Sequence, residues 1–252
     1  MEDRPLSYLE ERAAKVAETM WIGGPVQQFE NIGRAQLIVL LQEGLLPQSK
    51  VLDVGCGCLS GGYWMMRTLD PGCYFGIEPY VEMLQAGLDQ IVEPDVLARA
   101  HPTFDHNDTF DFGVFDTHFD YIIARSIWSH ASRMQIEKML DEFCKWSTAP
   151  GVMLASYYPT AIRFVPGRRR FTLPASHPRI APLLPARPGY QGSKWAGRRV
   201  KTDQPKVIHH PFRWISQECT QRGLRVKQLP QLVGGQHWLR IDRRVEQKKP
   251  TT

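Results

Sequence analysis

No apolar run in this 252-residue chain approaches the ~20 residues that a membrane-spanning helix requires, so a helical membrane protein is excluded. Cysteine is scarce. The five cysteines are an odd number and include no CxxC pair. Cys56 and Cys58 are a single residue apart, with no second ligand pair to complete a tetrahedral site, so no metal is expected. The lack of a pairing pattern argues against a disulfide framework and for a reduced, cytoplasmic setting. The opening residues, MEDRPLSYLEERAAKV, are charged and have no apolar core, so no secretion signal is expected. Internal repeats are absent, which excludes a solenoid. Acidic residues are nearly missing from one segment. Pro159 to Lys206 carries eleven Lys/Arg against one acid, Asp203, so it is +10, while the rest of the chain is −5 and the whole is +5.

What is present begins with alternation. KVLDVG, CYFGIE, FDYIIARS and GVMLASYY read as short strands, and FDYIIARS has the continuous apolar centre of a strand covered on both faces. Between them, GGYWMMRTLD, YVEMLQAGLDQIV and SRMQIEKMLDEFCKWS read as helices. Ser132 and Gln135 have capping-box spacing, and Ile136, Met139, Leu140 and Phe143 keep the 3.6-residue period. Such alternation predicts a parallel sheet with helices on both faces. At the end the pattern changes. A helix near Phe212 to Arg222 is followed by LRVKQL and QHWLRID, joined by the six residues PQLVGG. That joint is too short for a helical crossover and predicts an antiparallel hairpin. Ahead of the sheet, Ser7 to Leu46 shows helical periodicity. Pro159 to Pro205, with eight prolines, reads as an inserted loop or lid.

The stretch VLDVGCGCLSGG packs its small residues between a strand and a helix. Gly55 and Gly57 there allow a tight turn and a close ligand. A dinucleotide-binding GxGxxG needs a glycine three residues after Gly57, where Ser60 stands. Asp53, at the mouth of the turn, would repel a pyrophosphate and attract an amino group. Glu78 ends the next strand, and a carboxylate there suits a ribose diol. A ligand with a ribose and a cationic, amine-bearing tail is implied, and S-adenosylmethionine (SAM) fits.

VLDVGCG, GIEP and FDYIIARSIWSH together resemble the class I SAM-dependent methyltransferases, over roughly Pro47 to Tyr157 plus the terminal hairpin. The chain departs from that family at Leu59, where a third glycine is usual. Gly61 and Gly62 come later, so a longer turn is expected. The resemblance implies an α/β fold: a doubly wound, mostly parallel seven-stranded sheet closed by a C-terminal antiparallel hairpin. It divides the chain into a helical cover (1–46), a SAM-binding core (47–158), a basic inserted lid (159–206) and a closing helix and hairpin (207–245). It implies that Asp53, Gly55 and Gly57 line the methionine end of the cofactor and that Glu78 holds the ribose. Asn107 or Asp108 would meet the adenine amino group, Phe110 would pack on the ring, and Ala124, Arg125 and Ser126 would lie beside the methyl group. The product would be S-adenosylhomocysteine (SAH).

A hydroxyl acceptor benefits from a general base, and His130, a few residues past the fourth strand, is the candidate. Tyr157, Tyr158 and His210 are candidate acceptor-pocket residues. Gln236 and Trp238 share a face of the last strand, where packing is the expected role. The basic segment mixes Arg with Phe and Trp, which suits nucleic acid or an acidic small molecule. The strand end ARSIW lacks the Asn/Asp-Pro-Pro-aromatic pattern of adenine-amino methyltransferases, and no RRM or KH module is present. The expectation is therefore O-methylation of a small acceptor, at a hydroxyl or carboxylate of a secondary metabolite or glycan. An RNA methyltransferase using 159–206 and a non-catalytic SAM-binding protein are the alternatives. The sequence leaves the oligomeric state open, a homodimer included.

Overall fold

The computed structural model describes residues 4–163, 171–174, 195, 207–233 and 236–244. Two helices come first, α1 (Tyr8–Ala17) and α2 (Phe29–Gln42). α1 starts at a capping box in which Ser7 Oγ accepts from the Glu10 N–H and the Glu10 carboxylate accepts from the Ser7 N–H. The alternating part then runs β1 (Val51–Val54), α3 (Gly62–Thr68), β2 (Tyr74–Ile77), α4 (Val81–Gln90), α5 (Pro94–Ala100), β3 (Thr103–Asp105), β4 (Phe119–Ala124), α6 (Arg133–Trp146) and β5 (Ser147–Arg163). β6 (Phe171–Pro174), β7 (His209–His210), α7 (Phe212–Gln221), β8 (Leu224–Val233) and β9 (Gln236–Arg243) complete it.

Seven strands lie in the order β3-β2-β1-β4-β5-β9-β8. The four pairings from β3 to β5 are parallel, and β5–β9 and β9–β8 are antiparallel. This is the expected doubly wound sheet, with the hairpin at its edge. Strand alternation sorts the side chains onto two faces. Val51, Tyr74, Tyr121, Ile123, Leu154 and Trp238 pack with α1 to α5, whereas Leu52, Phe75, Ile122, Met153 and Leu239 pack with α6 and α7. α6 begins at the predicted capping box of Ser132 and Gln135. No helix among the described residues is long and apolar enough to cross a membrane.

Three local features differ from expectation. β8 continues to Val233, so most of PQLVGG is strand, with the register shifting between Gln228 and Leu232 around Pro230, which has no N–H to pair. Pro94 opens α5 at its first position instead of merely ending α4, because that site needs no N–H. β5 passes beyond Tyr158 to Arg163 and pairs antiparallel with β6, so the expected lid starts as a continuation of the sheet. Of that lid, 164–170, 175–194 and 196–206 lie outside the described residues, including Arg168, Arg169 and Arg170.

Candidate functional site

The parallel order reverses between β1 and β4, and the crevice at that switch point is where an open α/β sheet takes its ligand. A cavity of about 610 Å³ lies there, within the range of small-molecule sites. Its floor is the β1–α3 turn. Gly55 and Gly57 have φ of +73° and +58°, a backbone region that side chains rarely tolerate. A Cβ on Gly55 would also fall 2.2 Å from Ile127 Cδ1. Leu59, the departure from the family pattern, likewise has positive φ (+65°) and is fully buried. The turn is therefore longer, and α3 starts only at Gly62.

Glycines also let the surrounding helices close on this turn. A Cβ at Gly33 of α2 would lie 2.1 Å from the Ser60 carbonyl oxygen, and one at Gly87 of α4 would lie 2.7 Å from the Cys58 backbone. A Cβ at Gly61 would meet Gln36 Oε1 at 2.7 Å. α2 thus lies across the start of α3, where a dinucleotide would need open N–H groups for its pyrophosphate. The Gly57 N–H is occupied as well, because it donates to Glu78 Oε2 at 3.0 Å. The Tyr80 N–H donates to Glu78 Oε1 at 2.9 Å. Both carboxylate oxygens are thereby fixed in the cavity wall, and each keeps acceptor capacity for a ligand hydroxyl.

Asp53 is 2% exposed and lies behind the turn, outside the cavity wall. Its Oδ2 accepts from the Tyr74 hydroxyl at 2.9 Å, and burial raises its pKa to about 7. Asn107 is used within its own loop, where its side chain donates to Asp105 Oδ1 and the Asp111 carbonyl and accepts from the Asp111 N–H. Asp108 is exposed, and Phe110 stands with its ring centroid 6.5 Å from that of Trp195. None of these three reaches the cavity wall.

The opposite wall comes from the end of β4 and the residues after it. Ala124 is buried in the sheet, and Arg125, Ser126, Ile127 and His130 line the cavity. Ser126 has φ +60° and joins a network across three strands. Its N–H donates to Ser156 Oγ (2.7 Å), Ser156 Oγ donates to Gln236 Oε1 (2.6 Å), and Gln236 Nε2 donates to Ser126 Oγ (2.8 Å). Gln236, read from sequence as packing, is thus a cavity-wall residue that fixes the β4 end. The His130 ring faces Trp195 at 5.6 Å, and the His130 backbone N–H donates to the Ile127 carbonyl. Trp195 lines the cavity from within the basic segment, a placement that only its mixture of Trp with Arg could have suggested.

Tyr158 lines the cavity and stacks against His209 at 5.4 Å. Tyr157 points to the other face of the sheet, fully buried, with its pKa pushed up to about 12 by burial. His210 is also fully buried and outside the wall. Its Nε2 donates to the Ala131 carbonyl at 3.1 Å, and burial lowers its pKa to about 4, so it is neutral at neutral pH. The roof is the α1–α2 connector, with Trp21, Ile22, Gly23, Gly24, Pro25 and Gln28 over the glycine turn. No group of three or more His, Cys, Asp or Glu among the described residues is placed to hold a metal ion.

Together these features define a cavity at the switch point of a doubly wound sheet, with Glu78 holding the turn amide and α2 packed against the start of α3. Solved structures share this fold. The magnesium protoporphyrin IX methyltransferase of Synechocystis PCC 6803, with bound SAH, superposes with a TM-score of 0.57 at 14% identity, over 93% of this chain and 94% of its own. The glycopeptide N-methyltransferase MtfA complexed with sinefungin gives 0.55 at 14% identity, over 84% and 94%. The DhpI–SAH complex gives 0.52 at 13% identity, over 94% of each chain. No protein-family model matches the chain, and no curated protein matches its sequence. At these identities the shared property is the fold, and this chain has the Rossmann-like fold of those methyltransferases.

Proposed function

We propose that the protein is a SAM-dependent methyltransferase that acts on an oxygen of a small acceptor, a secondary metabolite or glycan component, in the cytoplasm. The observation that carries the reading is the state of the glycine turn. Its Gly57 amide is held by Glu78 and its helix start is covered by α2, so the turn offers a carboxylate to a diol where a dinucleotide site would offer amides to phosphate. SAM fits this wall: Glu78 would hold its ribose hydroxyls, and Gly55 and Gly57 would line its methionine end. When bound, it supplies a methyl group made electrophilic by a sulfonium. The chain's own residues set the orientation. The Ser126–Ser156–Gln236 network fixes the end of β4, and the α1–α2 connector lies over the turn. His130 stands in the wall to receive the proton of an acceptor hydroxyl. The neighbours named for magnesium protoporphyrin IX and for a glycopeptide support a small acceptor over a polynucleotide, as does a cavity of about 610 Å³.

Calorimetry tests the reading. The protein is expected to bind SAH and not NAD, and Glu78→Ala is expected to weaken SAH by about 1–3 kcal/mol, the scale for losing hydrogen bonds to a charged acceptor. Undiminished affinity in that variant removes the ribose assignment, and binding of NAD in place of SAH removes the cofactor.

A further inference from the structure

Arg125 directly follows β4 in the wall of the cavity and is partly buried there. Burial lowers its pKa only to about 10, so it stays charged at neutral pH. Of the other partly buried arginines, Arg67 has Glu93, Arg222 has Asp141 and Glu218, and Arg240 has Glu43 beside it, while Arg12 and Arg243 donate to backbone carbonyls and Arg133 lies over the Trp214 ring. Arg125 has no ion pair and no hydrogen-bond acceptor among the described residues, and the ionisable neighbour that acts on it is the Tyr158 hydroxyl. A desolvated cation without a counter-charge is unfavourable, and a chain tolerates it where a ligand supplies the anion. Glu78 is the sole acid in the cavity wall among the described residues, and its oxygens are bound to the Gly57 and Tyr80 amides. It directly follows β2, two strands from β4 in the sheet order, or about 10 Å at the usual strand spacing.

The guanidinium is therefore placed toward β5 and Tyr158, on the side of the cavity away from the ribose position. Its planar fork matches the two oxygens of a carboxylate or phosphate. Ser126, Tyr158 and His130 supply hydroxyl and imidazole groups along the same wall. We propose that Arg125 anchors an anionic group, carboxylate or phosphate, of the acceptor, so that the site selects acidic small molecules. The word acceptor rests on the methyltransferase reading. The anion-binding role does not, and the two fail separately.

The test compares wild type with Arg125→Gln and Arg125→Lys, using benzoate and benzamide as a charged and a neutral probe of the same shape. Tryptophan fluorescence reads the binding, since Trp21 and Trp195 line the cavity. Titrations are run with and without saturating SAH. Wild type is expected to prefer benzoate by about tenfold or more, the scale of a charged hydrogen-bonded pair. Arg125→Gln should abolish that preference and Arg125→Lys should keep part of it, while SAH affinity stays within about twofold. Equal binding of the two probes by wild type overturns the proposal. A preference that persists in Arg125→Gln also overturns it, because the anion is then held elsewhere, as by the Arg-rich segment. A third arm titrates SAH and methylthioadenosine. If Arg125→Gln weakens SAH but not methylthioadenosine, the guanidinium holds the cofactor's own carboxylate and the acceptor assignment is lost. Should Arg125→Gln fail to fold by circular dichroism, Arg125→Met replaces it with the same expectations. If SAH does not bind wild type at all, the methyltransferase reading fails, while the benzoate preference still decides the role of Arg125.

Discussion

His130 is the single residue on which turnover at a hydroxyl is expected to depend. Its ring lines the cavity beside Trp195, past the end of β4, while cofactor contacts are assigned to the turn and to Glu78. His130→Ala is therefore expected to lower kcat roughly 10²–10⁴-fold, the range for losing a general base, with SAH affinity unchanged. Wild-type turnover in that variant returns the residue to its backbone contact with Ile127. Asp53 behaves differently, since it lies behind the turn and titrates in the folded protein. Its pKa rises from 3.8 to about 7, chiefly through burial. The folded state keeps the proton to higher pH than the unfolded state. Its contribution to stability is thus full below pH 3.8 and is lost as pH rises toward about 7. Asp53→Asn, which can still accept from Tyr74, is expected to melt higher than wild type at pH 8 and equally at pH 4. Melting curves across that range check the sign. His210 works the other way. Its pKa falls from 6.5 to about 4, so its contribution is lost as pH falls through that window.

At the scale of elements, the contact between α2 and the glycine turn sets the site. Replacing glycine by alanine inside a helix ordinarily gains up to about 1 kcal/mol. At Gly33 the new Cβ would overlap the Ser60 carbonyl, which is backbone and cannot swing away. Gly33→Ala is therefore expected to destabilise by about 1–3 kcal/mol and to weaken SAH, as α2 is pushed off the turn. Urea unfolding with a stabilised variant would show that α2 is loosely seated. Much of this layer was legible in the chain. The apolar runs of β1, β2 and β4 and the capping box of α6 depend on neighbours within a few residues. The path of β8 was less so, because LRVKQL and PQLVGG look like strand and loop locally, and only pairing with β9 extends the strand past Pro230. The closure of α2 over the turn was invisible, since Gly33 reads as an ordinary weak point in a helix.

For the whole molecule, the sheet order and its antiparallel edge followed from alternation and from the short joint before the last strand. The site was legible where one segment carries both position and chemistry, as at Gly55, Gly57 and Glu78. It was not legible where the chain crosses itself. Gln236 meets Ser126 across 110 residues of sequence, and no local pattern marks that meeting. Asn107 was misleading for the opposite reason. Its loop holds three polar partners, so a side chain fit for adenine is already used. The charge imbalance of the chain also gains a counterpart in the structure, since the cavity itself runs from an acid at Glu78 to a cation at Arg125.

β9 enters the sheet between β5 and β8, and its first residue completes the wall beside the end of β4. During synthesis the glycine turn and Glu78 leave the ribosome more than 150 residues before Gln236. At about 5–20 residues per second that interval is on the order of ten seconds or more. The glycine turn and the end of β4 are thus both made while the residue that fixes the β4 end, Gln236, is still untranslated, and the wall is completed only by the last strand.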